Sequence, residues 1–173
     1  MKKAFVLLAI LASPAFAGAS DPLPLVQSPG ADLTLVRRDE VRTIAEYKGQ
    51  THVSGTLVAQ WIPGVDEETD NTRQYHLVPF AETAAKLPHF QGYPVQQIEL
   101  TNGFAALRMV AGSQVADQFA EKRAKVIRIE GTFVLGEYVV GVECDAQWAK
   151  AIVVKAEPLN AVQVAGKPTP FGC

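Results

Sequence analysis

The sequence predicts a mostly β fold with one or two short helices, and three observations support this prediction. Segments such as "THVSGTLVAQWIPG" and "KVIRIEGTFVLGEY" alternate apolar and polar residues, which is the pattern of a half-buried strand. Glycine and proline recur at short intervals and bound these segments. One later segment, "SQVADQFAEKRA", has helical spacing instead. We therefore expect one small β domain over residues 33–173.

The first 17 residues have the organisation of a secretory signal peptide. Lys2 and Lys3 precede an apolar run from Ala4 to Ala12, and Ala15-Phe16-Ala17 forms a small-x-small cleavage site. The run has about half of the roughly 20 residues that a membrane span requires. We expect cleavage near Ala17, a periplasmic or secreted protein, and no membrane span.

The charge balance argues against a nucleic-acid partner. The chain has 16 basic and 18 acidic residues, and loss of Lys2 and Lys3 with the signal would bring the net charge to about −4. Clustered lysine and arginine supply most of the affinity for phosphate backbones, so a mildly acidic domain binds them poorly. Any partner is expected to be another kind of molecule.

The two cysteines, Cys144 and Cys173, are predicted to form one disulfide, because thiols of exported proteins are usually paired. The bond would close a loop of about 30 residues, which the chain-entropy model values at roughly 3–4 kcal/mol. A free thiol and a bridge between two chains are the alternatives.

The first half of the mature chain predicts a leader, a helix and two strands. Residues 18–32 carry three prolines and are expected to be an extended leader that packs loosely. A helix is predicted from Asp39, which would cap it, to Gly49, with a strand as the alternative for this short segment. A strand follows, with Val53, Leu57, Ala59 and Trp61 on one face and Gly55 at a bend. The segment "RQYHLVPF" is the second strand, with Tyr75 and Leu77 opposite His76 and Val78.

The second half predicts a short helical turn before Pro88 and then one or two strands that break at Asn102-Gly103, a strong turn dipeptide. Ser113 is placed to cap the helix that follows. The next strand has Ile127, Ile129, Phe133 and Leu135 facing inward. The segments "YVVGVEC" and "WAKAIVVKAEPL" form a terminal pair, and the tail has one short alternating piece.

Two predicted strands share a pattern around a glycine. "VSGTLV" at Val53 and "IEGTFV" at Ile129 both read apolar-x-Gly-Thr-apolar-Val. Six positions are too few to indicate a duplication. The pattern predicts instead that two long strands each need a glycine where a small barrel bends sharply.

This order of elements resembles the oligonucleotide/oligosaccharide-binding (OB) fold, a five-stranded, partly open barrel with a helix between its third and fourth strands. The resemblance covers residues 51–159 and extends to bacterial exported proteins of this fold, mostly uncharacterised, including small periplasmic stress proteins. The acidic loop and the cysteine-bearing C-terminal extension depart from that group. A β-sandwich is the competing architecture, because it uses the same alternating strands.

No motif for catalysis, a metal or a cofactor stands out. There is no Gly-x-Ser-x-Gly elbow and no phosphate-binding glycine loop. The three histidines have no ligand-pair spacing, although His52 and His76 would meet if their strands pair suitably. Calcium would find oxygens in the loop of Asp66, Glu67, Glu68 and Asp70, but the loop lacks the alternation and glycine of an EF-hand. We expect no metal and no cofactor.

Aromatic side chains suggest a binding surface in the first half of the domain. The candidate ligand-binding residues are Trp61, Tyr75, His76 and Phe80, which lie on strands whose face binds ligands in folds of this type. Core packing explains the same aromatics and is the favoured interpretation, because Trp61 and Tyr75 share faces with Leu57 and Leu77.

Three functions are compatible with this sequence. The first is an exported, non-catalytic binding protein of the cell envelope, with a glycan, peptide or protein as its ligand. The second is a periplasmic inhibitor or immunity-type protein that blocks an enzyme through the acidic loop. The third is a hydrolase with scattered carboxylates, the least favoured because Glu99 and Glu143 are expected to face water.

Overall fold

The strands of this protein close into a ring. We describe a computed structural model, which places residues 22–27, 32–62, 72–121 and 125–164. The described residues form nine strands and three helices: β1 Leu25–Val26, β2 Leu33–Asp39, β3 Ile44–Ile62, β4 Thr72–Pro79, α1 Ala81–Ala84, β5 His89–Phe90, β6 Ile98–Leu100, α2 Gly103–Ala111, α3 Ser113–Ala120, β7 Val126–Glu143, β8 Ala146–Pro158 and β9 Gln163–Val164.

Five of these strands make a barrel with OB-like topology. The pairing order is β3-β4-β6-β8-β7, and β7 pairs again with β3, which completes the ring. If these five strands are numbered along the chain, their order around the barrel is 1-2-3-5-4 and back to 1. Helices α2 and α3 lie between the third of these strands, β6, and the fourth, β7. The β6–β8 pairing is parallel and short, so the barrel is only narrowly closed there. One ring of pairings, rather than two facing sheets, favours the barrel over the sandwich.

The barrel core follows the predicted alternation. Side chains of Val53, Leu57 and Ala59 from β3 are fully buried. The inward residues predicted for β7 are buried in the same cluster: Ile127, Ile129, Phe133 and Leu135. The two helices close one end of this core with Leu107 and Phe119. The strand predictions for β3, β4, β7 and β8 are thus confirmed.

The predicted helix from Asp39 to Gly49 is wrong. Residues 44–49 belong to β3 and pair with β2, and the turn between these strands covers residues 40–43. Val41, expected on the apolar helix face, is 96% exposed at the turn. Ala45 and Tyr47 are buried two residues apart, which is a strand period. Pairing with β2 therefore overrides the local helical spacing.

The predicted break at Asn102-Gly103 is confirmed, because β6 ends at Leu100 and a turn covers residues 101–102. A second strand after this break is wrong, because α2 begins at Gly103. The predicted cap at Ser113 is also wrong. The residue at the N-cap of α3 is Gly112, and no side chain caps that helix. The Ser113 hydroxyl instead accepts a hydrogen bond from Arg108 Nη2 at 3.1 Å. The predicted helical turn before Pro88 is confirmed as α1.

The described part of the leader is attached to the barrel. It is extended, as expected, and its strand β1 pairs with β5. Leu23 and Leu25 pack against the core, and Arg38 Nη2 donates to the Leu23 carbonyl at 2.9 Å. The packing is therefore closer than the proline content indicates.

Candidate functional site

A groove of about 1310 Å³ runs over the outer face of β4, β6 and β8. The start of α2 and the residues flanking the β7–β8 turn form its ends. Three strands contribute one row of side chains across it, because His76 pairs with Glu99 and Glu99 pairs with Lys150. Residues far apart in sequence thus meet on one surface.

An ion pair lies at the centre of the groove. Lys150 Nζ is 3.0 Å from Glu99 Oε2, and both side chains are about half exposed. An exposed pair of this kind contributes only about 0–1 kcal/mol to stability. Both charges are therefore available to a polar ligand at little cost to the fold.

Trp148 provides an aromatic surface next to the ion pair. Its indole lies against Gly141 on β7: a Cβ atom at Gly141 would be 2.4 Å from Trp148 Cζ2. Lys150 Nζ is 5.8 Å from the ring centroid, which is within the range of a cation–π contact. Trp148 is half-buried and lines the groove. The absence of a side chain at Gly141 thus leaves room for the Trp148 ring, and the Lys150 ammonium group lies over that ring.

His76 is the most buried polar residue of the row, with 8% of its surface exposed. Burial lowers the pKa of the imidazole, and the nearby Glu99 carboxylate partly opposes this shift. His76 is therefore neutral at pH 7. A neutral imidazole offers one donor and one acceptor nitrogen.

Several amide side chains complete the lining. Gln147 Oε1 accepts a hydrogen bond from the Phe90 backbone nitrogen at 2.8 Å, which fixes this amide. Gln147 Nε2 and Gln74 Oε1 are buried, and neither has a hydrogen-bond partner among the described residues. Both residues line the groove, but these two atoms are enclosed by protein and do not face a ligand directly.

Asn102 fixes the end of the groove formed by α2. Its side chain bonds β8 twice: Nδ2 donates to the Val153 carbonyl at 2.8 Å, and Oδ1 accepts from the Val153 nitrogen at 2.9 Å. Gly103 allows Tyr75 to approach closely, since a Cβ there would be 2.2 Å from Tyr75 Cβ. Asn102-Gly103 therefore connects the start of α2 to two strands: Asn102 bonds β8, and Gly103 lies against Tyr75 of β4.

The structure brings together two of the four predicted ligand-binding residues. Tyr75 and His76 line the groove. Trp61 packs against Phe119 with ring centroids 5.9 Å apart, and its Nε1 donates to the Phe119 carbonyl at 2.7 Å. Phe80 lies at the N-cap of α1 and is not a groove residue.

Other predicted positions lie elsewhere. The acidic loop of Asp66, Glu67, Glu68 and Asp70 falls outside the described residues, as does Cys173. The disulfide therefore stays a prediction; Cys144 is exposed in the β7–β8 turn. His52 pairs with Val134 and not with His76, so these two histidines are apart. In the described part of the chain, no three His, Cys, Asp or Glu side chains come together.

Sequence reasoning missed the groove residues of β8. Ala149, Ala151 and Val153 are buried, so Trp148 and Lys150 face outward. This alternation of buried and exposed residues along β8 could be recognised in the sequence. The position of β8 beside β6 could not, because their parallel pairing depends on the whole barrel.

None of the helices in the described segments is long and apolar enough to cross a bilayer.

Comparisons of this chain with protein-family models, with curated proteins and with solved structures give no match.

Proposed function

We propose that this protein is an exported binding protein of the cell envelope that holds a glycan or peptide chain in the groove over β4, β6 and β8. The observation that carries this proposal is the group of Trp148, Lys150 and Glu99 side chains on an open concave surface. An aromatic ring supports the apolar face of a sugar or side chain, and the paired charges bind its polar groups. The signal-like N-terminus supports export.

The groove favours an elongated polar ligand over a compact apolar one. It stays open to solvent along three strands, and its polar groups are spread along its length instead of converging on one point. Nothing in it resembles an activated nucleophile: the acidic group at the centre, Glu99, is half exposed and already paired with Lys150. Binding without catalysis is therefore the function that this chemistry supports best.

The test is affinity capture with matched variants. The full chain is immobilised, exposed to envelope extract, and its bound sugars, peptides and proteins are identified by mass spectrometry. Trp148→Ala and Lys150→Ala should lose the captured ligand. Lys155→Ala, on the same strand but away from the groove, should retain it.

Two results would count against this function. A glycan or peptide retained equally by all variants would place the ligand elsewhere on the molecule. A single protein captured by every variant, and lost on charge reversal of Asp66, Glu67 and Glu68, would favour the inhibitor function instead.

A further inference from the structure

The groove is bordered by the edge of a strand and not only by the face of a sheet. Five consecutive residues of β8, at positions 146–150, line it. Successive side chains of a strand point to opposite faces, as they do here for buried Ala149 and outward Trp148. Residues of both orientations line one groove where the backbone itself borders it. The edge of β8 at residues 146–149 is therefore open toward the groove.

The direction of the backbone groups on β8 follows from three hydrogen bonds. The Ala151 carbonyl accepts from the backbone nitrogen of the residue after β6 at 3.0 Å. The Asn102 side chain bonds both backbone groups of Val153. Positions 151 and 153 thus present their N–H and C=O groups to the β6 side. Because this direction alternates along a strand, Gln147 and Ala149 present theirs to the same side.

Strand β6 is too short to bond all of these groups. It begins at Ile98 and pairs with β8 only at Lys150 and Ala151. In the part of the chain that the structure describes, no backbone hydrogen bond from the β6 side reaches the N–H of Ala149 or either backbone group of Gln147. An unpaired row of N–H and C=O groups is a template for another strand.

We propose that the groove takes an extended peptide of another molecule, which adds as a strand beside β8 at residues 146–149. The peptide would continue the position of β6 along β8 and bond the three open backbone groups. In this mode of recognition, main-chain hydrogen bonds give affinity and the neighbouring side chains give specificity. The inference rests on the proposed function and narrows its ligand to a peptide in strand conformation.

A single extended segment fits this edge better than a folded surface. A neighbouring strand must come within about 4.8 Å, and a second copy of this chain would have to bring a whole sheet into the concave groove. The facing edge of β4, at residues 72–75, is less open. There Tyr75 packs against Gly103 and against Phe119, with the two ring centroids 5.8 Å apart. The edge of β8 is therefore the one that remains for a ligand.

Trp148 specifies one position of the peptide. A residue directly opposite Trp148 would point to the same outward face as the indole, because paired residues of neighbouring strands share a face. Aromatic and β-branched side chains pack well against an aromatic ring in this arrangement. The peptide is therefore expected to carry a residue such as valine at this position.

Glu143 specifies a second position, two residues along the peptide. The peptide passes Ala146 there, and the small side chain of Ala146 leaves a path to its pairing partner Glu143 on β7. Glu143 is exposed and lines the groove, and none of the ion pairs among the described residues includes it. A lysine or arginine on the peptide would reach this carboxylate and form a charge-assisted hydrogen bond.

Two synthetic hexapeptides probe this arrangement: Thr-Lys-Thr-Val-Thr-Thr and the same sequence in reverse order, because a strand can add in either direction. Both carry fluorescein and have no terminal charges, and fluorescence anisotropy with the full chain measures their affinity. At least one should bind. Trp148→Ala should weaken that binding about five-fold or more. Lys155→Ala, on the same strand but away from the groove, should leave the affinity unchanged.

A charge exchange tests the contact with Glu143. The Glu143→Lys variant should lose the lysine peptide and gain the peptide in which glutamate replaces that lysine. The unaltered protein should prefer the lysine peptide. Glu143 is exposed, so this exchange leaves the core intact.

An N-methyl scan of the peptide tests strand addition directly and uses the unaltered protein. The N–H groups of alternate residues in a strand point to the same neighbour. N-methylation in one alternate set should weaken binding about ten-fold for each lost hydrogen bond, and in the other set less than about two-fold. By NMR, the amides of Gln147 and Ala149 should exchange faster than the bonded Val153 amide in the free chain, and peptide should slow them.

Four results would overturn strand addition. Neither peptide binds at millimolar concentration, or N-methylation weakens binding without alternation. Binding is unchanged in both Trp148→Ala and Glu143→Lys, or the Gln147 and Ala149 amides exchange as slowly as Val153 in the free chain because another part of this chain fills the edge. A glycan whose capture depends on Trp148 would in each case leave the proposed function standing, so the two failures are distinguishable.

Discussion

Gly55 and Gly131 face each other directly where β3 pairs with β7. They are the glycines of the two matching segments "VSGTLV" and "IEGTFV". A Cβ at Gly55 would be 2.5 Å from the Val78 carbonyl oxygen, and one at Gly131 would be 2.8 Å from the Glu157 carbonyl oxygen. Both glycines thus permit close approach of a neighbouring strand.

Gly55→Ala should lower the free energy of unfolding by about 1–3 kcal/mol, because the added methyl group meets fixed backbone. Gly136→Ala is the matched control: its Cβ would meet the Val154 methyl at 3.3 Å, which a side chain accommodates by a small shift. Urea denaturation of the two variants measures the difference. Equal stability of both would show that the strands do not approach closely at Gly55.

Asn102→Ala should destabilise the protein by about 2–3 kcal/mol. The change removes both hydrogen bonds to Val153 and leaves the backbone groups of that residue unpaired. Thr101→Val, which removes only one weak bond of 3.3 Å at an exposed neighbour, is the control. Thermal unfolding of both variants gives the comparison. A loss no greater than that of the control would mean that Asn102 does not join α2 to β8.

Stability should fall as the pH drops below about 6.5. Burial depresses the pKa of His76 in the folded protein, so the unfolded chain takes up the proton first. The stability that neutral His76 contributes is full above the unfolded pKa of about 6.5 and is lost as the pH falls toward the lower folded pKa. Urea unfolding at pH 7.5 and pH 5 measures this loss.

The His76→Gln variant should lose less stability between these two pH values than the unaltered protein. His52→Gln, at an exposed position of β3, should behave like the unaltered protein. The same pH dependence in all three proteins would assign the effect to other groups.

Gly141→Ala should displace the Trp148 ring from the position it holds against β7. The chain has only two tryptophans, and Trp61 is fixed by its bond to the Phe119 carbonyl. A change in emission that persists in Trp61→Phe and vanishes in Trp148→Phe therefore reports the groove. An unchanged emission spectrum would show that the position of the Trp148 ring does not depend on Gly141.

The sequence predicts the strands better than the site. Alternation identifies β3 and β7 because each has one face in the core, as Leu57 and Ile129 show. The segment from Asp39 to Gly49 misleads because Val41 and Ile44 also fit a helical spacing, and only pairing with β2 decides between the two. Local sequence patterns predict secondary structure least well where pairing with a distant strand decides it.

The groove depends on contacts between distant parts of the chain. Glu99 and Lys150 meet because the barrel places β6 beside β8, and no motif in either segment indicates the pairing. Asn102-Gly103 has the composition of a hairpin turn, yet here the asparagine bonds β8 and the glycine admits Tyr75. The same residue types thus serve a tertiary contact that a local reading assigns to a turn.

The most direct test of the groove as a ligand site is a titration of the isotopically labelled full chain, followed by NMR, with soluble glycan–peptide fragments of the bacterial cell wall. The proposed function predicts that the largest amide shifts cluster at His76, Glu99 and Lys150, and that Trp148→Ala abolishes them. Shifts that cluster on β2 and α3, or no shifts at millimolar concentrations of these fragments, would contradict it.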